Sequence, residues 1–421
     1  MGPPAGPRPR ARKHDGSAGE SCDEATGSSA AAATGSYDKQ VASNVSSIPR
    51  TGIARLIAFV WRPSPAAFRR LALAGVVANS GIIVTGAAVR LSESGLGCPD
   101  WPKCTVQSLT ATRTPGQTMV NTWIEFGNRL FTFVVMAVAV AVFVAAWRLR
   151  VAGPDGLPRR RTDLVWLAAA QPAGIILQAM LGGITVLTAL NPAMVSVHFL
   201  VSMVIVALTV LLYVRCGEGT APAQPLARAD LRLLSGAVLA VAGLMFAAGT
   251  VVTGTGPLAG NASAPRYHLP LEGATQLHAD IGWLFAGLAI ALLAGLRLTG
   301  APPLTVRFGW VLLATMSVQG TLGYIQYFTG LPPVLVGLHV LGSVLVWIAA
   351  LRLFLSLRDR GTIMPVASEP AFTGVAAGPV RAGPGVAADP MAQPLASAGT
   401  RAQPQPESQE VEQVRGAPPP G

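Results

Sequence analysis

Charge is scarce in this chain. Asp, Glu, Lys and Arg make up 12% of its 421 residues, about half the share of a soluble domain. That shortage, beside a hydrophobic content of 51%, excludes an ordinary soluble enzyme. Cysteine is scarce as well. Cys98 and Cys104 lie close together, while Cys22 and Cys216 stand alone, so no disulfide framework builds the fold. There is no Cys-x-x-Cys-His, which excludes the usual signal for a covalent c-type haem. Residues 1–50 contain no apolar run and read as a disordered tail, not a signal peptide. Residues 361–421, rich in Pro, Ala, Gly and Gln, read the same way.

What the chain does have is long apolar runs. Eight spans fall at about 71–91, 124–147, 164–188, 196–214, 232–254, 277–296, 307–327 and 334–356, each long enough for a membrane-crossing helix. The net charge of +11 does not point to nucleic acid, because the arginines sit in alternate loops and in the tails. Arg69 and Arg70 precede the first span, Arg159, Arg160 and Arg161 the third, Arg228 and Arg232 the fifth, and Arg352, Arg358 and Arg360 close the eighth. That is positive-inside patterning, with both termini cytoplasmic. The expected fold is an all-α, multi-pass protein of the cell membrane.

The spans repeat four by four. Gln178 to His198 (QAMLGGITVLTALNPAMVSVH) matches Gln319 to His339 (QGTLGYIQYFTGLPPVLVGLH), and Val84-Thr85-Gly86 matches Val252-Thr253-Gly254. An even number of helices per copy predicts a parallel repeat, two four-helix bundles over residues 70–215 and 230–357. Gln178 and Gln319 are expected to hydrogen-bond between helices, with Gly182, Gly183, Gly320 and Gly323 allowing close approach.

Histidines open three of the four helices that run inward from the outer face: His198, His278 and His339. At the fourth, the repeat places Asn128 where His278 stands. Paired imidazoles at one depth in a four-helix bundle suit the axial positions of a haem, whereas any one of them alone is as readily an interfacial side chain. His268, in an outer loop, lacks a counterpart. Glu125 lies one turn before Asn128 on the same face. It is either a carboxylate at a helix N-terminus or a group that handles a proton or a developing cation beside the ring. Arg129 and Arg90 pair with propionates or snorkel to the interface. Cys98 and Cys104 fall on the outward, oxidising side, where a disulfide pins a short loop.

The segments TGAAVRLSESGLGCPDWPKC, IEFGNRLFT, QLHAD and GLHVLGS, with His198, make the chain resemble the haem A synthases in their actinobacterial form. The resemblance covers residues 70–357. It implies oxidation of the C8 methyl of haem O to a formyl group, giving haem A for cytochrome oxidase. It places a haem b cofactor between His278 and His339, the haem O substrate beside His198, and a catalytic role on Glu125. Asn128 departs from the histidine many members carry, which implies a five-coordinate substrate iron on His198. Membrane lipid, haem O synthase and a quinone or other electron acceptor are the implied partners. The rival readings are a quinol-linked electron-transfer cytochrome b and a haem-handling transporter or scaffold.

Overall fold

The computed structural model describes Gly2 and residues 63–113, 116–152 and 157–362. The two expected tails lie outside the described residues apart from Gly2, Gly361 and Thr362, and so do Cys22 and His14. Eight helices follow in order: α1 (Pro65–Leu91), α2 (Met119–Arg148), α3 (Thr162–Leu187), α4 (Pro192–Arg215), α5 (Ala229–Thr255), α6 (Leu271–Leu298), α7 (Pro303–Phe328) and α8 (Pro333–Leu355). All eight are long and apolar enough to cross a membrane. The chain is an all-α, multi-pass membrane protein.

Hydropathy located the spans but placed several starts too late. The residues that begin the helices are polar caps and prolines, which an apolar-run criterion passes over. Ser64 Oγ accepts the Ala67 amide at 3.1 Å just before Pro65. Thr118 Oγ1 accepts Asn121 N at 3.2 Å, and Asn191 Oδ1 accepts Ala193 N at 3.0 Å before Pro192. Each cap satisfies an orphan amide, and proline at the first helical position has none to lose.

Helices α1 to α4 form a closed ring of neighbours, and α5 to α8 form another with the same adjacencies. The rings meet where α4 packs on α8 and α5, and α8 on α1. Lipid offers no hydrophobic drive for this contact, so packing and hydrogen bonds must supply it. Phe199, Phe246 and Trp347 stack edge to face there, with centroids 6.5 Å and 5.4 Å apart. Trp347 Nε1 donates to the Met203 carbonyl at 2.9 Å.

At the opposite end from the histidines, two short antiparallel strand pairs tie the loops. β1 (Val151–Ala152) pairs with β2 (Pro158–Arg159), and β3 (Gln224–Pro225) with β4 (Arg358–Asp359). Asp163 receives both Arg161 and Arg215 at 2.7 Å, and Arg215 also reaches Glu218 at 2.9 Å. Cys216 is buried beside this network, and burial pushes its thiol up to about 11. It is protonated at neutral pH and inert.

At the histidine end, the loops of the two rings join. Gly95 donates to the Gly260 carbonyl at 2.9 Å. Arg90, at the end of α1, donates through Nε to the Leu258 carbonyl at 2.6 Å and also to the Thr253 carbonyl.

Candidate haem-binding site

The repeated glutamines do what their spacing suggests. Gln178 Nε2 donates to the His198 carbonyl at 3.0 Å, and Gln319 Nε2 to the His339 carbonyl at 2.8 Å. Each amide therefore holds the backbone of the histidine that follows it by 20 residues, fixing α3 to α4 and α7 to α8 at one height.

A glycine on the neighbouring helix stands against each imidazole. A Cβ added at Gly182, Gly249 or Gly323 would lie 3.4, 3.2 or 3.1 Å from Cε1 of His198, His278 or His339. Gly183 serves a different contact, since the Trp101 ring would be 2.5 Å from its Cβ, and Gly320 faces open space. Nδ1 of His198 is buried without a hydrogen-bond partner, whereas the main chain of Met245 reaches His278 and that of Gln319 reaches His339.

His278 and His339 face each other across the second ring of helices. Their ring centroids are 6.4 Å apart with planes at 68°. Two imidazoles each bonded at about 2 Å to one metal would have centroids roughly 6 Å apart, so this pair fits the two axial positions of a haem iron. Among the described residues no group of three or more His, Cys, Asp or Glu is arranged to hold a metal ion. A pair alone is what an iron needs when a porphyrin supplies its other four nitrogens.

The first ring is built differently. Opposite the His198 helix, Asn128 Oδ1 accepts a hydrogen bond from Thr85 Oγ1 at 2.7 Å. Gly86 has nothing within 4 Å of where a Cβ would stand, whereas its repeat counterpart Gly254 is filled by the Tyr267 ring at 2.6 Å. Space that the second copy closes is open in the first.

The cysteine loop joins α1 to α2. Cys98 and Cys104 are joined by a disulfide. Glu125, 5% exposed, accepts the Cys98 amide at 2.7 Å on Oε2 and the Arg129 guanidinium at 2.6 Å on Oε1. Arg129 also donates to the carbonyls of Cys98, Asp100 and Lys103 at 2.8, 2.9 and 3.0 Å. The loop is pinned to α2 by one ion pair whose members face its backbone, while Trp101 seats it on α3. Both Arg129 and Arg90 are engaged by backbone carbonyls. Sequence reasoning missed this anchoring role. The signal was the i, i+4 spacing of Glu125 and Arg129 in a helix start opposite a short cysteine loop. His268 stands in the loop between α5 and α6.

The family model COX15-CtaA, described as a cytochrome oxidase assembly protein, matches residues 69–351. Among curated proteins, the chain is 29% identical over 185 residues to a protein of Shewanella oneidensis named Heme A synthase, covering 41% of this chain and 51% of that one. It is 28% identical over 161 residues to a protein of the same name from Halalkalibacterium halodurans, covering 37% and 50%. The chain spans about half the length of the curated relatives it matches. The family match runs from α1 into α8, across both histidine sites and the cysteine loop, and the chain belongs to the COX15-CtaA family of cytochrome oxidase assembly proteins.

Proposed function

We propose that this protein is a haem A synthase, oxidising the C8 methyl of haem O to a formyl group in the cell membrane, with the arginine-rich ends of its helices toward the cytoplasm. The observation that carries this reading is the asymmetry of the two rings. One holds a facing imidazole pair; the other carries His198 on one helix and, at the repeat position of His278, Asn128 held by Thr85.

In this reading His278 and His339 hold haem b, which supplies one-electron transfer when bound. Gln319 holds the His339 backbone in place, and Gly249 and Gly323 let both rings stand upright. His198 holds the haem O substrate. Converting methyl to formyl removes four electrons and four protons and adds one oxygen from water. A first oxidation gives the alcohol, and a second gives the gem-diol, which loses water. A quinone or another membrane acceptor would take the electrons, and haem O synthase would supply the substrate. Glu125 would handle a proton or stabilise positive charge at the reacting carbon. A carboxylate has about four acceptor sites, and the donors from Gly97, Cys98 and Arg129 leave it one.

The test is production of pigment. Expressed in a host that accumulates haem O, the intact chain is expected to yield haem A on chromatography of extracted haems. A haem b spectrum with unchanged haem O would leave only the electron-transfer cytochrome, and neither signal would leave a scaffold.

Asn128 gives a second prediction. Thr85 holds the side-chain oxygen of Asn128, so in this reading His198 alone would hold the substrate iron. Carbon monoxide is expected to bind reduced haem O in the parent chain. Asn128→His should restore the second axial ligand and cut the CO-difference signal at this site at least about tenfold. An unchanged CO signal in the histidine variant would show that position 128 does not face the iron.

A further inference from the structure

Arginines crowd the end of the molecule opposite the histidines beyond what its carboxylates can match. Arg358 and Arg360 lie in or beside β4, Arg352 at the end of α8 and Arg69 at the start of α1. They gather around Glu218, which is already held by Arg215 at 2.9 Å and stands 3.9 Å from Arg360. The charges of Glu218, Arg360 and Arg215 all act on Arg358, and those of Arg69 and Glu218 on Arg352. Arg69 and Arg352 approach the one Tyr213 ring, 5.3 Å and 5.6 Å from its centroid, and neither forms an ion pair among the described residues.

The decisive detail is at β4. Nε and one terminal nitrogen of Arg358, and Nε of Arg360, are buried with no hydrogen-bond partner. A guanidinium nitrogen shielded from water without an acceptor is costly, and here neighbouring cations add repulsion. Burial is also the main reason the Arg358 pKa falls below its usual value. One carboxylate shared by this many guanidiniums cannot satisfy them. What fits is an anion with several oxygen acceptors, because arginine forks match phosphate oxygens two at a time. The cluster stands at the ends of α1, α4 and α8, where the two rings meet and where phospholipid headgroups lie.

We propose that Arg69, Arg352, Arg358 and Arg360 form a binding site for a phosphate-bearing anion, filled in the membrane by the headgroup of an acidic phospholipid. The lipid's phosphate completes the unmatched donors of β4, and Tyr213 spaces the two guanidiniums that flank it. Bound there, the lipid bridges α1 of one ring to α8 of the other.

The test uses the full-length chain, purified and reconstituted in nanodiscs of phosphatidylcholine, with or without phosphatidylglycerol. Phosphatidylglycerol is expected to raise the thermal midpoint and to survive delipidation as a retained copy in native mass spectrometry. The double variant Arg358→Gln/Arg360→Gln should lose the rise and bind the lipid about thirtyfold more weakly. Arg228→Gln, at an exposed arginine paired with Asp230, should keep both. In phosphatidylcholine alone the double variant should be about as stable as the parent, because relief of repulsion offsets the loss of the long Arg360–Glu218 pair and the Arg360 bond to the Ala221 carbonyl. Inorganic phosphate in detergent is the second arm: an equal rise with phosphate alone would assign the site to a soluble phosphate-bearing ligand. No rise with either anion, or no retained lipid in the parent chain, overturns the proposal. So would a double variant that folds and responds as the parent does.

Discussion

His278→Ala and His339→Ala are each expected to abolish the low-spin haem b spectrum of the purified protein, while His198→Ala leaves most of it. The two imidazoles sit 6.4 Å apart, centroid to centroid, as axial partners of one iron would. If the pair holds a haem, removing either imidazole would leave only one protein ligand. His198 stands in the other ring of helices, behind its own glycine. Optical and electron paramagnetic resonance spectra of the three variants check this directly. Loss of the low-spin signal in His198→Ala, with retention in the other two, would reverse the assignment of the rings.

Glu125→Ala should destabilise the cysteine loop and stop product formation while the haem b spectrum persists. Deleting the carboxylate leaves the Cys98 amide unpaired and strips Arg129 of its only carboxylate partner among the described residues. Breaking a buried pair costs about 3–5 kcal/mol. Arg129 keeps three backbone carbonyls and its side chain is 21% exposed, so roughly half of that is a better expectation. Hydrogen exchange over residues 94–113 should rise sharply. Glu125→Gln separates anchoring from chemistry, because the amide oxygen can still accept the Cys98 N–H but carries no charge. An ordered loop with no turnover in Glu125→Gln would fix the chemical role. Turnover close to the parent's would leave Glu125 as an anchor alone.

The parts legible in the sequence were those written as local pattern. Apolar length marked the helices, and the 20-residue interval from glutamine to histidine marked the repeated clamp, because both sit within one helical hairpin. The departure at Asn128 was visible because a repeat supplies its own comparison. What stayed illegible were contacts to backbone. Glu125 meets an amide 27 residues away, and Arg90 a carbonyl 168 residues away. Every residue type carries those backbone groups, so nothing in the composition of residues 98 or 258 announces the bond. The same holds for Gly183 and Trp101, whose fit depends on where a loop returns. The unmatched arginines near Glu218 were read as a topology signal, which hid their crowding.

Arg90 also bears on the symmetry of the repeat. By the spacing that superposes Val84-Thr85-Gly86 on Val252-Thr253-Gly254, residue 258 is the second copy's version of residue 90. Arg90 therefore grips the main chain at its own duplicate position, and its other acceptor, the Thr253 carbonyl, also belongs to that copy. Leucine at 258 cannot return the gesture. The repeated fold is asymmetric at its own seam: the donor comes from the first half and both acceptors from the second, so exchanging the halves would lose both bonds.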